Sequence, residues 1–169
     1  MTTLICLANS WKHGERCIAG IVPETGQWVR PVCDRTADGQ VPATLRQVGG
    51  REPALLDILD IPLADELPTR GIACENRIIV DGPWHCLGQI HPIDLIPFCS
   101  SRPPILHNGR KYVPVTVLES LPIAKRHTLA LVYATDFQVH GQIRSTGTRW
   151  RGSLTLPGGY PLADLPITD

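Results

Sequence analysis

Proline and glycine punctuate this sequence too often for a helical bundle: sixteen prolines and fifteen glycines are spread along 169 residues and cut the apolar runs to strand length. With 43% hydrophobic residues the chain is still globular. Turn signals recurring at about eight to twelve residues predict an all-β barrel or sandwich. The firmest local signal is Pro23-Glu24-Thr25-Gly26, which lies between apolar runs at residues 17–22 and 27–32. Proline fixes one φ and glycine permits a left-handed one, so the two runs are predicted to form a β-hairpin. Strand alternation then puts Trp28, Arg30 and Val32 on one face and Gln27, Val29 and Pro31 on the other. Gly20 predicts a bulge or a close backbone approach, and Pro31 a strand edge.

The rest of the chain reads as short elements. Residues 4–8 form a third apolar run, joined to the hairpin by a polar loop at 9–14 that carries Trp11 and Lys12. Residues 41–50 fit a short helix, with Pro42 in its first turn, Gly49-Gly50 at its end, and Leu45 and Val48 on one face. Residues 54–63 read as a strand interrupted by Asp57 and Asp60, and 64–70 as an acidic, proline-containing boundary. Residues 76–80 are a short β-branched run, followed by a turn at 81–83 and by Trp84-His85-Cys86-Leu87, and a helical turn is expected at 92–98. The alternating valines of 112–118 favour a strand despite Pro114, and 128–134 with 137–143 read as a second central hairpin. Residues 149–156 alternate cleanly: Arg149, Arg151, Ser153 and Thr155 on one face, Trp150, Gly152, Leu154 and Leu156 on the other. Residues 160–167, with Pro161 and Pro166, belong on an edge.

Several blocks are similar to a known family. Leu4-Ile5-Cys6-Leu7-Ala8-Asn9-Ser10, Lys12, Gly14, Arg16-Cys17-Ile18-Ala19-Gly20 and Gly26, then Trp28-Val29-Arg30-Pro31-Val32, resemble the dual OB-containing domain, a prokaryotic family associated with conflict and defence systems. Leu55-Leu56-Asp57-Ile58, Glu75-Asn76, Trp84 and the closing Leu165-Pro166-Ile167-Thr168-Asp169 extend the resemblance along the chain. It implies two OB-like barrels and a nucleic-acid or nucleotide-binding role. The resulting expectation is an all-β chain with a few short helices, folded as two small OB-like β-barrels at residues 1–70 and 71–169. The short connection at 100–104 would leave them packed as one body.

Charge and cysteine usage bound the chemistry. The formal net charge is zero, but residues 51–98 hold three Lys/Arg against eight Asp/Glu, and residues 99–151 hold eight against two. Such asymmetry gives either one basic surface or two segments that attract each other. Six unclustered cysteines, with no signal peptide before Leu4, read as reduced thiols of a cytoplasmic protein, and no apolar run reaches membrane-spanning length. No C-x-x-C pair occurs, and His85-Cys86 with His91 is the one local group of ligand types, so neither metal nor cofactor is expected. No nucleotide-loop, lipase-type or zincin motif is present. Cys17 beside Arg16 and His13 suits packing in a strand better than it suits a thiolate nucleophile.

Binding is the reading left to develop. Trp11, Trp28, Trp84 and Trp150 each have a cation or histidine within two positions. Tryptophan in a small protein is more often core than platform, but OB barrels combine aromatic stacking with Arg/Lys phosphate contacts. The expected ligand-binding residues are Trp11, Lys12, Arg16, Trp28, Arg30, Arg149 and Arg151, with Arg110, Lys111, Lys125 and Arg126 as outer contacts. The expected partners are a nucleic acid or nucleotide and other proteins of a defence system. An enzyme acting on a nucleotide or modified base, and a protein-interaction adaptor, are the alternatives.

Overall fold

The structure is a computed structural model that describes residues 1–12, 14–36, 39–65, 73–100, 103–107, 112–145 and 147–167; of Lys12 and Arg144 it describes the backbone alone. Strands make up 45% of the chain and helices 10%, in two sheets, as an all-β reading requires.

The first sheet has six strands. In chain order they are β1 (Thr2–Lys12), β2 (Glu15–Ile21), β3 (Trp28–Val32), β4 (Asp57–Ile61), β5 (Asn76–Ile78) and β6 (His85–Gln89), arranged β5-β3-β2-β1-β4-β6. The predicted hairpin is β2–β3, closed by Val22 N–H donating to the Gln27 carbonyl (2.9 Å) and by Gly26 at φ 68°. Its faces divide as expected, with Val29 and Pro31 buried and Trp28, Arg30 and Val32 half-buried. Gly20 makes its close approach to β1: a Cβ there would lie 2.1 Å from the Ile5 carbonyl oxygen, beside the β1 bulge between Cys6 and Ala8. The core gathers Leu4, Cys6, Ile18, Val29, Val41, Val48, Leu59, Ile61, Leu63 and Trp84.

Three expectations for this region are corrected. Residues 9–12 are strand: Asn9 to Lys12 pair with Ile18 to Glu15, and Gly14 at φ 85° contributes to the tight connection. Their polarity reflects a surface position within a ladder. β3 is an interior strand, yet Pro31 lacks its donor at no cost, because the β2 ladder ends at Val29 and β5 is bonded through Arg30 N–H to the Glu75 carbonyl (2.8 Å). Residues 41–50 form turns instead of a helix. A helix this short cannot sustain itself, and better partners are at hand: Val41 N–H bonds the Arg16 carbonyl (2.9 Å) and Val48 bridges to Arg51. The buried Arg46 guanidinium sits among the Val41 carbonyl, Glu15 and Glu52 (2.6 Å to the last), which holds the turn on the core.

β4 buries Asp57 together with Leu59 and Ile61. Its carboxylate accepts from Arg51 (2.7 Å), Ala54 N–H (2.8 Å) and the Gln89 amide (3.0 Å). Burial alone would raise the Asp57 pKa, but these donors outweigh it and hold the group at about 2. Burial, reinforced by Asp57, pushes the Cys6 thiol up to about 12, so it packs as an inert side chain.

The expected division at residue 70 falls between β4 and β5, two strands of the same sheet; residues 66–70 of that boundary lie outside the described ones. Beyond β6 a 3₁₀ turn at Pro92–Phe98 matches expectation. Residues 112–118 do not form a strand. Pro114 caps the short helix α1 (Val115–Glu119), which is anchored by the buried Leu118 and leaves Val115 and Val117 exposed. Residues 128–134 are not a hairpin strand either, because Thr128 and Leu129 give their N–H groups to the Glu75 carboxylate and Val132 makes a single bridge to Ser100.

The second sheet is antiparallel: β7 (Asp136–Arg144), β8 (Gly147–Leu156) and β9 (Tyr160–Pro166), in the order β7-β8-β9. The second hairpin is therefore β7–β8. β9 takes the predicted edge, with Pro161, Pro166 and the left-handed Asp164 (φ 55°) in or beside its ladder. No helix among the described residues is long and apolar enough to cross a membrane.

Candidate nucleic-acid interface

Register decides what the β7–β8 hairpin presents. Phe137 pairs with Leu154, Val139 with Gly152, Gly141 with Trp150 and Ile143 with Thr148, so one face is apolar and aromatic. Gln138 with Ser153, His140 with Arg151 and Gln142 with Arg149 make the other face polar and basic. The two glycines shape the apolar face. A Cβ on Gly152 would meet Phe137 and Ile167 at 3.2 Å, and one on Gly141 would meet Thr148 at 2.9 Å and the Trp150 ring at 3.4 Å. Without those methyl groups both rings lie close along the sheet. They border a cleft of about 840 Å³ formed with Val139, Thr148, Pro166 and Ile167, and Arg149 and Arg151 also line it although their register assigns them to the polar face.

Phe137 and Trp150 remain 59% and 54% exposed, which is unusual for large rings on an ordered sheet and leaves their faces open to a planar ligand. Arg149 is exposed and makes no ion pair among the described residues. Arg151 is held by Asp164, donating to its carbonyl (3.2 Å) and lying 3.7 Å from its carboxylate. Of the two arginines predicted here, Arg149 is available to a phosphate and Arg151 helps build the rim.

The other expected residues lie on the six-stranded sheet. Trp11 is 55% exposed, and the Arg16 guanidinium stacks over its ring at 4.2 Å from the centroid, as their cross-strand pairing dictates. Arg16 also donates to the Asn9 carbonyl (2.9 Å), so its charge is tied to the sheet. Arg30 donates to Asn76 Oδ1 (2.7 Å) and pins β3 to β5, with Trp28 half-buried beside it. The Lys12 side chain, His13, Arg110 and Lys111 lie outside the described residues. Arg126 donates to the carbonyls of Leu121 (2.8 Å) and Glu119 (3.0 Å) at the end of α1, while Lys125 is exposed. Trp84 is core, at 3% exposure.

Sequence reasoning missed Phe137 and Val139, and it read the Trp150 face of β8 apart from β7. The usable signal was the alternation of Phe137, Val139, Gly141 and Ile143, which pairs apolar side chains with glycines across the hairpin. It also missed Cys74 and His127, whose Sγ and Nδ1 are 3.3 Å apart. Fifty-three positions separate them, which no local spacing rule spans.

No curated protein and no solved structure shows significant similarity to the chain. The sequence model of one family, described as the dual OB-containing domain, matches residues 2–169. OB folds commonly bind oligonucleotides through a strand face and its neighbouring loops. With a match across nearly its whole length, the chain belongs to the dual OB-containing domain family.

Proposed function

We propose that the protein is a nucleic-acid or nucleotide-binding module in which bases stack on Trp150 and Phe137 while Arg149 neutralises a neighbouring phosphate. The observation that carries this reading is the placement of two half-exposed rings on one face of the β7–β8 hairpin, bordering a cleft that is also lined by an arginine without an ion pair among the described residues. Every base has a π-face, so such a platform accepts unpaired bases with little regard to sequence. The family resemblance supports a role as a cytoplasmic recognition component of a prokaryotic defence system. Two OB-like units are kept in this reading, but the boundary expected at residue 70 is moved beyond β6, because β5 and β6 pair within the first sheet.

The test is a titration of fluorescently labelled single-stranded and duplex oligonucleotides at several salt concentrations. Trp150→Ala is expected to cost about 1–3 kcal/mol of binding while leaving the melting temperature nearly unchanged, because the ring is largely solvent-exposed. Arg149→Ala is expected to weaken binding and to flatten the salt slope by about 0.7 for a single strand. Binding that ignores salt, or that survives Trp150→Ala intact, overturns the assignment and favours a protein-binding adaptor. Turnover of a nucleotide would identify an enzyme.

A further inference from the structure

Where the chain enters β5, Cys74 and Glu75 meet a residue brought from far along the sequence. Cys74 Sγ lies 3.3 Å from His127 Nδ1, and the ligating atoms of Cys74, Glu75 and His127 all fall within 4.8 Å of one another. Around a tetrahedral zinc ion the sulfur-to-nitrogen edge is about 3.5 Å, given bonds of about 2.3 and 2.0 Å. The Cys–His pair is thus already at metal-binding separation.

Glu75 supplies an independent reason. Its side chain is buried, with the residue 1% exposed. Oε1 accepts from Thr128 N–H (2.5 Å) and Leu129 N–H (3.2 Å), and Oε2 from the Thr128 hydroxyl (3.2 Å). These donors satisfy the oxygens but bring no full positive charge, and no Lys or Arg among the described residues makes an ion pair with Glu75. Buried carboxylates are ordinarily paired with a cation or bound to a metal. The two backbone donors fix Oε1 and orient the group, as outer-shell contacts do for metal ligands. Oε2 accepts from the Thr128 hydroxyl at 3.2 Å, and a carboxylate oxygen has a second lone pair to offer an ion.

We propose that Cys74, Glu75 and His127 bind a zinc-class divalent ion, with the fourth coordination position toward solvent on the exposed His127 side. The thiolate and imidazole donors suit zinc and discriminate against magnesium. On binding, the Cys74 thiol proton passes to solvent and a sulfur–zinc bond replaces it. The neighbourhood is braced for this. Cys74 N–H bonds the Arg126 carbonyl (3.3 Å), His107 Nε2–H donates to the His127 carbonyl (2.6 Å), and the Glu75 carbonyl takes the Arg30 N–H. A bound ion would staple residues 126–129 to β5 and, through Arg30, to β3.

Chelator-treated full-length protein titrated with Co²⁺ provides the test. One equivalent is expected to give a thiolate-to-cobalt charge-transfer band with tetrahedral d–d absorption, displaced by Zn²⁺ and untouched by Mg²⁺. Zn²⁺ is also expected to raise the melting temperature. Cys74→Ser should abolish the band. His127→Ala, a surface substitution that leaves the fold intact, should weaken Co²⁺ binding beyond the ~10–100-fold cost of losing an outer-shell partner. A wild-type protein without the band at one equivalent, or a band unchanged in both variants, overturns the proposal.

Discussion

Gly20 shows how one missing side chain fixes the geometry of two strands. Its neighbour across the ladder is backbone, and backbone cannot rotate away as a side chain can. Gly20→Ala is therefore expected to push β1 aside and to cost about 3 kcal/mol, the upper part of the usual overpacking range, measured by urea denaturation. Arg30 shows how a bond gives a residue a structural role that spacing does not reveal. Spacing alone put it beside Trp28 as a phosphate contact, but its Nε is engaged by Asn76 on β5. Arg30→Ala is expected to lose about 1 kcal/mol of stability and to leave the salt slope of oligonucleotide binding unchanged, the opposite pattern from Arg149→Ala.

Among the elements, β4 depends on a charge turned inward. Asp57 ties the turn carrying Arg51 and Ala54 to β4 and, through Gln89, to β6. Its folded pKa of about 2 lies below the ordinary 3.8, so its stabilisation is complete above about pH 4 and is lost as pH falls through 2. Acid unfolding followed by circular dichroism should therefore be steeper across that window in the wild type than in Asp57→Asn. The same strand shows why periodicity misleads at single positions. Asp57 looked like an interruption of an apolar run, yet it occupies the core face with Leu59 and Ile61 because three donors converge on it. The valines of 112–118 failed in the reverse sense, since alternation without a pairing strand yielded to the proline that starts α1.

For the whole molecule, the all-β class, the β2–β3 hairpin, the 3₁₀ turn at Pro92–Phe98 and the edge position of β9 were legible because each follows from local turn chemistry or proline placement. What was not legible depends on partners distant in sequence: the continuation of the first sheet into β5 and β6, the capture of residues 128–129 by Glu75, and the shared face of Phe137 and Trp150. Arg149 could be proposed from sequence because a charge on an alternating strand is visible alone, whereas Phe137 could not, because its place beside the cleft comes from the strand opposite. The three-stranded sheet has unequal borders. Pro161 and Pro166 remove donors from β9, and the left-handed Asp164 interrupts its extended backbone, so a further strand finds no continuous ladder on that side. β7 runs nine residues, Asp136–Arg144, without a proline. Strand addition to this sheet thus has a permitted direction, and anything that lengthens it extends the row of side chains headed by Phe137 and Val139.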